Sequence, residues 1–377
     1  MDAFTTPSNW QRVRLGDICE IVKGQQINKI SLNNTDKYPV INGGIDFLGY
    51  TNKFNVSKNT IAISEGGTCG YVRFMKGDFW SGGHNYSLQK ISNKVNNLCL
   101  YHILKSYEKD IMKLGVGSGL KNIQLKALKD FEIPLPPLNE QIAIANILSD
   151  LDHYLYSLDA LILKKEGVKK ALSFELLSQR KRLKGFNQNW QRVRLGDIGK
   201  PCMCKRVMKH QTTPYGEIPF YKIGTFGNTA DAFISKKLFL EYKAKYSFPK
   251  KGDILISASG TIGRAVIYDG KPAYFQDSNI VWIDNNETLV KNDFLFYAYS
   301  NIKWNTEHTT ILRLYNDNFR NTLIPLPPLN EQIAIANILS DLDHEIISLK
   351  NKKRQFENIK KALNHDLMSA KIKVLKK

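Results

Sequence analysis

Apolar residues recur at alternating steps of four and three along the last part of the chain, at Ile335, Leu339, Leu342, Ile346, Leu349, Phe356, Leu363 and Leu367. Lys353 and Lys360 fill the two skipped positions. An earlier segment has the same register, at Ile144, Leu148, Leu151, Leu155, Leu158, Ile162, Leu172 and Leu176, with Lys165 and Lys169 as its interruption. This spacing is typical of a coiled-coil seam. It predicts two long helices that pair with each other.

Two amphipathic helices, each packed only on its own domain, are the alternative to a coiled coil. Both segments run for about 40 residues without a helix breaker, which corresponds to roughly 60 Å of helix. A typical domain is narrower than that, so the length favours the paired helices.

Both predicted helices begin with the same sequence. The segment IPLPPLNEQIAIANILSDLDH occupies residues 133–153 and returns unchanged at 324–344, and NWQRVRLGDI occupies 9–18 and 189–198. The chain is therefore two copies of one unit.

Paired prolines mark the start of each helix. Pro136 and Pro137, like their twins in the second copy, lack an amide hydrogen and favour extended geometry before them. Asn139 and Asn330 are therefore predicted to cap the helices. The basic run before Gly185 predicts the end of the first helix there, and the second helix is expected to continue to the terminal KIKVLKK.

The segments between the repeated sequences, 19–132 and 199–323, combine strand patterns with turns rich in Gly and Asn. Strand-like runs lie at 38–51, 60–74 and 78–90 and near 217–224, 252–260, 263–270 and 279–284, and a helical pattern covers 97–113. They predict an antiparallel or irregular sheet and no series of βαβ units. The expected fold class is α+β: two mixed α/β domains at 1–138 and 185–329, joined by two long paired coiled-coil helices at 139–184 and 330–377 as a pseudo-twofold repeat.

The charge balance indicates a polyanionic partner. The chain has 54 Lys+Arg against 35 Asp+Glu, a formal net charge of +19, which favours nucleic acid. A basic membrane-surface protein is the rival, but the apolar stretch Ile142 to Leu148 is far too short to span a bilayer. The first ten residues lack signal-peptide character, and five scattered cysteines form no disulfide framework. We therefore expect a cytoplasmic protein with no membrane partner.

A glycine-rich sequence recurs inside the two bodies. Residues 64–70 and 257–263 share the pattern S-x-x-G-T-x-G, each after an apolar strand, while almost everything around them differs. A hairpin turn that needs positive φ explains the glycines on structural grounds alone. A loop whose amides and hydroxyls approach a phosphate is the functional alternative, and the sequence leaves both open.

No motif for catalysis or metal binding emerges. The chain has no Walker sequence, no adenine-methyltransferase box and no glycine-rich loop for S-adenosylmethionine. Asp130 and Glu132 lack a third carboxylate partner, and Cys202 and Cys204 lack a second pair of zinc ligands. His153 and His344 occupy equivalent helix positions, which favours packing or partner contact over chemistry. We expect no catalytic residue, no metal site and no cofactor in this chain.

The repeated proline entry to a long helix, the GDI segments, the G-T-x-G loops and the order body, helix, body, helix resemble the specificity subunit of Type I restriction-modification enzymes. The resemblance covers nearly the whole chain. It implies two target-recognition domains that each read one half of a split, asymmetric site in double-stranded DNA, joined by two antiparallel helices that act as a ruler between them. It also implies two adenine-N6 methylation subunits and two ATP-driven restriction subunits as partners. S-adenosylmethionine, ATP and magnesium would belong to those partners.

Polar residues of the predicted loops are the candidate DNA contacts, since Arg and Lys suit guanine and Asn and Gln suit adenine. In the first body they are Lys23, Gln25, Asn42, Tyr50, Lys53, Ser64, Thr68, Arg73, His84, Asn85, Lys121 and Asn122. In the second body they are Lys205, Arg206, Tyr221, Lys222, Ser257, Thr261, Arg264, Gln276, Asn279 and Arg313.

Identical polar residues near the starts of the two helices are the candidate partner contacts, because two copies of one surface suit two copies of one partner. They are Glu140, Gln141, Asn146 and Asp150 with their twins Glu331, Gln332, Asn337 and Asp341, all expected to face outward. Two other functions stay open: a coiled-coil adaptor that binds DNA without reading its sequence, and a DNA-modifying enzyme whose motifs are unrecognised.

Overall fold

The computed structural model describes residues 9–308, 312–369, 371–372 and 374. The first copy contains the strands β1 (Gln11–Arg14), β2 (Glu20–Lys23), β3 (Tyr38–Ile41), β4 (Gly49–Thr51), β5 (Thr60–Ser64), β6 (Val72–Met75), β7 (Trp80–Ser81), β8 (Asn85–Gln89), β9 (Gly115–Val116), β10 (Asn122–Ile123) and β11 (Glu132–Leu135). Its helices are α1 (Leu15–Ile18), α2 (Asn97–Ser106), α3 (Glu108–Lys113), α4 (Leu125–Lys129) and α5 (Leu138–Leu177).

The second copy contains the strands β12 (Gln191–Arg194), β13 (Gly199–Met203), β14 (Ile218–Tyr221), β15 (Ala232–Ile234), β16 (Ile254–Ser257), β17 (Ala265–Ile267), β18 (Tyr274–Phe275), β19 (Ile280–Asn285), β20 (Glu307–His308), β21 (Leu312–Arg313) and β22 (Leu323–Leu326). Its helices are α6 (Leu195–Ile198), α7 (Lys236–Lys245), α8 (Asn292–Tyr299), α9 (Asn316–Asn321) and α10 (Leu329–Met368).

The chain divides into two compact units. Unit 1 comprises Met1–Ala160 and Lys350–Lys377, and unit 2 comprises Leu161–Leu349. Each unit therefore contains one α/β body, the start of the helix that follows that body, and the end of the other long helix.

The two bodies have the same strand order despite their different sequences. Unit 1 has a four-stranded antiparallel sheet in the order β2-β8-β5-β6 and a three-stranded sheet β4-β3-β7, and unit 2 has β13-β19-β16-β17 and β15-β14-β18. The pairs β3–β7 and β14–β18 are parallel. In each unit the first strand pairs antiparallel with the last, β1 with β11 and β12 with β22. The predicted α+β class and the internal repeat are confirmed.

The start of each long helix packs into the core of its own body. Ile144 and Leu148 of α5 belong to the same buried cluster as Ile61 of β5 and Leu100 of α2. The equivalent part of α10 packs with β16, β19 and α8 in unit 2. The alternative of helices packed on their own domains is thus correct for these first turns.

Further along, the long helices pair antiparallel within each unit. In unit 1 Lys353 lies 2.7 Å from Asp159, Lys360 contacts Asp152, and the rings of Tyr154 and Phe356 are 4.6 Å apart. In unit 2 Lys165 lies 2.8 Å from Glu345 and Lys169 lies 2.5 Å from Asp343. Numbers rise along one helix as they fall along the other, as antiparallel pairing requires. The four lysines that interrupt the apolar pattern are therefore ion-pair residues of the seam.

The helix ends differ from the sequence predictions. Both long helices begin one residue before the predicted cap, so Asn139 and Asn330 lie inside them. The amide of Gln141 donates instead to the carbonyl of Pro137. The first helix ends at Leu177 and not at Gly185, because Gln179 takes a positive φ of 62° and leaves the helical region. The second ends at Met368; residues 370, 373 and 375–377 of the predicted extension lie outside the described residues.

Two other predictions receive detail from the structure. The helical pattern over 97–113 forms two helices, α2 and α3, separated at Tyr107. The helix α7 of unit 2 was not predicted from the sequence. Within the described ranges, no helix is long and apolar enough to cross a membrane.

Candidate nucleic-acid interface

The S-x-x-G-T-x-G loops form the same hydrogen-bonded hairpin in both units. The amide of Gly70 donates to the carbonyl of Ser64 at 2.8 Å, and that of Ser64 donates to Tyr71 at 3.0 Å. The equivalent bonds in unit 2, from Gly263 to Ser257 and from Ser257 to Arg264, measure 2.9 and 3.0 Å. The glycines have positive φ: 69° and 83° at Gly67 and Gly70, 66° and 82° at Gly260 and Gly263. The turn itself therefore accounts for these glycines.

Glycines also allow the hairpin of unit 1 and the loops around it to approach one another closely. A Cβ atom on Gly43 would lie 2.5 Å from the carbonyl oxygen of Gly66, and one on Gly66 would lie 2.3 Å from Oδ1 of Asn122. A Cβ on Gly83 would lie 2.4 Å from Nε2 of Gln26. We call the assembly of residues 23–26, 42–43, 64–70, 82–85 and 121–122 the unit 1 loop cluster.

Glu65 lies at the centre of the unit 1 loop cluster. Its Oε1 accepts from Nζ of Lys23 at 2.6 Å and from the hydroxyl of Tyr86 at 3.3 Å. Its Oε2 lies 3.8 Å from Nδ1 of His84. Burial first, and the charge of Glu65 second, raise the pKa of Tyr86 to about 12. The phenol is therefore protonated at neutral pH, and its one hydrogen has two acceptors in reach, the carboxylate and the carbonyl of Ile123 at 3.0 Å.

Most of the predicted contacts of the first body belong to this cluster. Oδ1 of Asn42 accepts from the amide of His84 at 3.0 Å, and the amide of Thr68 donates to the carbonyl of Gly43 at 2.8 Å. The amide of Gln25 donates to Ser81 beside the cluster. Lys121 and Asn122 are exposed next to Gly66. The sequence prediction thus brought together residues that the fold makes neighbours.

Three predicted residues of the first body have other surroundings. Arg73 donates to the carbonyls of Gly44 and Ile45 and lies over the ring of Phe47, so its guanidinium holds the 44–47 loop. Tyr50 exchanges backbone hydrogen bonds with Asn33. Lys53 is exposed beyond β4.

In unit 2 the equivalent loops assemble around Gln276 and Asn279. Oε1 of Gln276 accepts from the backbone amide of Ile223 at 2.9 Å. The backbone amide of Gln276 donates to the carbonyl of Tyr221, also at 2.9 Å. Oδ1 of Asn279 accepts from the hydroxyl of Ser259 at 2.8 Å. The backbones of Arg313 and Ser259 pair as an isolated antiparallel β-bridge.

Several predicted side chains of the second body are committed to other groups. Nε of Arg206 donates to Asp277 at 2.8 Å, Nη1 of Arg264 donates to the carbonyl of Phe226 at 3.0 Å, and Nζ of Lys222 lies 2.8 Å from Asp231. Lys205 is exposed beside the ring of Tyr246. Thr261 is exposed on the loop.

Three of the predicted DNA contacts are buried, so they have no surface to offer to a base. They are Ser64, Asn85 and Ser257. The hydroxyl of Ser257 accepts from the amide of Arg264 and donates to the carbonyl of Thr261. The prediction that these side chains face DNA is wrong, because all three are enclosed by their own body.

Glu65 was missed by the sequence reasoning. Glu65 follows the buried strand β5, and its carboxylate pairs with a lysine from a distant part of the chain. Sequence periodicity does not reveal such a pair. The available signal was the sequence alignment of the two hairpins, in which Glu65 is aligned with Ala258. Asp277, the partner of Arg206, was missed for the same reason.

Two of the predicted partner contacts on the helices are buried glutamines. Nε2 of Gln141 donates to the carbonyls of Pro136 and Lys94, and its Oε1 accepts from the amide of Asn96. Gln332 repeats this with Pro327, Leu289 and Lys291. The outward orientation predicted for both is wrong, since each ties the start of its helix to its own body.

The glutamates beside them bind the opening tryptophans. Oε2 of Glu140 accepts from the indole of Trp10 at 3.2 Å, and Oε2 of Glu331 accepts from Trp190 at 2.9 Å. Glu331 is buried and also receives two bonds from Arg182, so its predicted outward orientation is wrong as well. Glu140 is half-buried.

Four of the predicted partner contacts are exposed. Asn146 and Asp150 of α5, and Asn337 and Asp341 of α10, face away from the packed side of their helices. Apolar side chains are exposed nearby at equivalent positions, Leu138 and Ile142 in one copy, Leu329 and Ile333 in the other. Among the described residues, no group of three or more His, Cys, Asp or Glu is arranged to hold a metal ion.

Comparison with known proteins agrees with this architecture. The family model of the type I restriction modification DNA specificity domain matches residues 7–165 and 187–358. A candidate type I restriction enzyme specificity subunit of Haemophilus influenzae is 41% identical over 323 residues, 80% of this chain and 81% of the relative. A type I restriction enzyme specificity subunit of Methanocaldococcus jannaschii is 26% identical, over 99% of this chain and 95% of the relative.

A solved structure has the same fold. The type I restriction-modification system S subunit from M. genitalium superposes with a TM-score of 0.67 at 24% identity and covers 95% of this chain and 96% of its own. Both copies of the repeat lie within the family match. The chain therefore belongs to the type I restriction-modification DNA specificity family.

Proposed function

We propose that this chain is the DNA sequence-recognition subunit of a type I restriction-modification complex, in which each α/β body reads one half of an asymmetric, bipartite site. One observation carries the proposal: the two bodies share strand order and hairpin hydrogen bonds but differ in the polar residues around the hairpin. The backbone bond from Glu65 to His84 in unit 1 corresponds to the bond from Ala258 to Asn279 in unit 2, so equivalent positions have different side chains. A shared backbone with different donors and acceptors suits two different base sequences.

The charge of the chain supports binding to the phosphate backbone. A net charge of +19 attracts DNA without regard to sequence and releases counterions on binding. We expect the logarithm of the affinity to fall linearly with the logarithm of the salt concentration. An affinity that does not change with salt concentration would show that the positive charge has another role.

We further propose that methylation and restriction take place on partner subunits. The exposed and identical residues Asn146, Asp150, Asn337 and Asp341 support two copies of one partner, the adenine methylation subunit, and two restriction subunits would complete the complex. S-adenosylmethionine, ATP and magnesium would bind to those subunits. Modification of DNA by the purified chain alone would favour the unrecognised-enzyme alternative instead.

Exchange of one body tests the proposal. Residues 19–132 are replaced by the corresponding body of a relative, and the adenine-methylation motif of a host that carries the variant and its methylation partner is determined. We expect one half of the motif to change and the other half to stay. The matched control replaces 199–323 and should change only the opposite half. A motif altered in both halves by either exchange would contradict modular reading, and the absence of any motif would favour the adaptor.

A further inference from the structure

The carboxylate of Glu65 is enclosed while its cationic partner is not. The side chain of Glu65 is 11% exposed and that of Lys23 is 54% exposed, although their charged atoms lie 2.6 Å apart. The glutamate therefore lies behind the lysine, and the lysine is the member of the pair that solvent or a ligand can reach.

The carboxylate is fixed before any ligand arrives. The amide of Glu65 donates to the carbonyl of His84 at 2.8 Å, and its carbonyl accepts from the amide of Ile123 at 2.9 Å. The hydroxyl of Tyr86 lies 3.3 Å from Oε1 and 3.0 Å from the carbonyl of Ile123. Two separate segments, one with His84 and Tyr86 and one with Ile123, thus hold Glu65, which in turn fixes the end of a flexible lysine side chain that would otherwise sample many rotamers.

The second unit lacks a carboxylate at the equivalent hairpin position, because Ala258 follows Ser257 there. Its enclosed carboxylate, Asp277, comes from another loop and pairs with an exposed arginine, Arg206, at 2.8 Å. A carboxylate at the hairpin position is therefore not needed for the shared fold, since the hairpin forms with the same backbone bonds in both units. The bodies thus differ in which loop supplies the enclosed carboxylate and in whether it holds a lysine or an arginine, and we connect this difference with the different sequences that the bodies read.

We propose that Glu65 is a positioning residue that fixes the ammonium group of Lys23 for contact with a guanine in the half-site read by unit 1. This inference rests on the proposed function. An ammonium group has three donors and no acceptor, and Glu65 occupies one donor, which leaves two. Guanine presents two adjacent acceptors, O6 and N7, in the major groove, whereas adenine and thymine each present one and cytosine presents a donor. Glu65 is too enclosed to contact the base itself.

The experiment measures base preference with the full chain. Competition binding to duplex libraries first defines both half-sites for the unchanged protein. Glu65→Gln keeps the side-chain volume and removes the charge, and Lys23→Met keeps the stem and removes the donor. We expect each variant to lower the preference for one guanine of the first half-site about tenfold. The double variant should show no further loss, and the second half-site should be unaffected.

A modified base supplies a readout that a merely structural role would not change. With 7-deazaguanine at that position, the unchanged chain should lose affinity because N7 is missing, and Glu65→Gln should lose much less. Lys76→Met is the matched control, since Lys76 is an exposed lysine of the same unit that follows the end of β6 away from the hairpin. It should leave the base preference intact. Thermal unfolding of Glu65→Gln checks that the body stays folded.

Three results would overturn the proposal: no guanine in the first half-site, an unchanged preference in Glu65→Gln, or a loss in Glu65→Gln that Lys23→Met does not reproduce. Failure of the proposed function gives a different result, because the unchanged chain would then select no sequence for either half-site.

Discussion

Nζ of Lys169 lies 2.5 Å from Oδ1 of Asp343 in unit 2, and Lys360 contacts Asp152 in the same way in unit 1. Asp152 and Asp343 occupy the same position in the repeated sequence, and Lys169 and Lys360 follow them at the same spacing. The first copy supplies the lysine in one unit and the aspartate in the other. These two equivalent pairs set the register of the antiparallel helices.

Charge exchange tests the register. Lys169→Asp should destabilise unit 2 by about 1 kcal/mol, because two carboxylates then face each other in a partly exposed pair. Adding Asp343→Lys should restore most of the loss, as measured by urea unfolding. Adding Asp152→Lys to Lys169→Asp is the control. Rescue by Asp152→Lys would show that the helices pair in another register.

His102 is expected to make the stability of unit 1 depend on pH. Burial and, second, the charge of Lys360 lower its pKa to about 4, against a smaller opposing effect of Asp152. The unfolded chain binds the proton at about pH 6.5, so stability is complete above that pH and falls as the pH drops toward 4. Urea unfolding at about pH 7 and about pH 5 should differ by roughly 2 kcal/mol from this residue.

Substitution of His102 tests whether this residue is the source of the pH dependence, since the equivalent position of unit 2 has no histidine. Tyr297 stands in place of His102 there and donates to Asp343 at 2.9 Å. We expect His102→Gln to remove most of the difference between the two pH values, since glutamine does not titrate in this range. An unchanged difference in the variant would assign the pH dependence to other groups.

The buried glutamines at the helix starts should be important for stability. Gln141→Ala removes three hydrogen bonds and leaves buried backbone groups without partners, so we expect a loss of about 3 kcal/mol. Gln332→Ala should have a similar effect in unit 2. The exposed Asn146→Ala is the control and should stay within about 0.5 kcal/mol of the unchanged chain. Equal effects of Gln141→Ala and Asn146→Ala on the unfolding free energy would contradict the structural role.

The exposed polar residues of the helices should affect assembly and not folding. We expect Asn146→Ala with Asp150→Lys to weaken binding of one methylation subunit, and Asn337→Ala with Asp341→Lys to weaken binding of the other. Native mass spectrometry of the complex gives the stoichiometry, and DNA binding of the chain alone should change little. Full assembly of a variant carrying all four substitutions would remove these residues from the proposed contact surface.

The helices and the bodies differ in how far the sequence alone could predict them. The repeat, the paired prolines and the apolar spacing indicate each long helix to within a few residues, because these signals are local. The end at Leu177 was mispredicted because a non-glycine residue, Gln179, takes the positive φ. Gln141 and Gln332 were assigned to the surface because identity between two copies does not distinguish a buried polar residue from an exposed one.

The loop cluster shows the same limit. The hairpin glycines were identified because positive φ restricts the residue type at Gly67 and Gly70. Ser64 and Asn85 were misassigned because their burial depends on strands distant in sequence. The contact between Lys23 and Glu65 joins β2 to the hairpin, and neither residue shows by itself which partner it has.

The pairing of β1 with β11, and of β12 with β22, brings the entry and the exit of each body side by side. The two ends of each body are adjacent because these strands pair with each other. A body of different length can therefore be placed between the paired strands without a change in the flanking chain. The repeated sequences include β1 and β12 and all but the first residue of β11 and β22, so they encode the same junction twice. Genes of this family could therefore exchange a whole body as a cassette, with breakpoints in the repeats, and the product would still fold around an unaltered pair of helices.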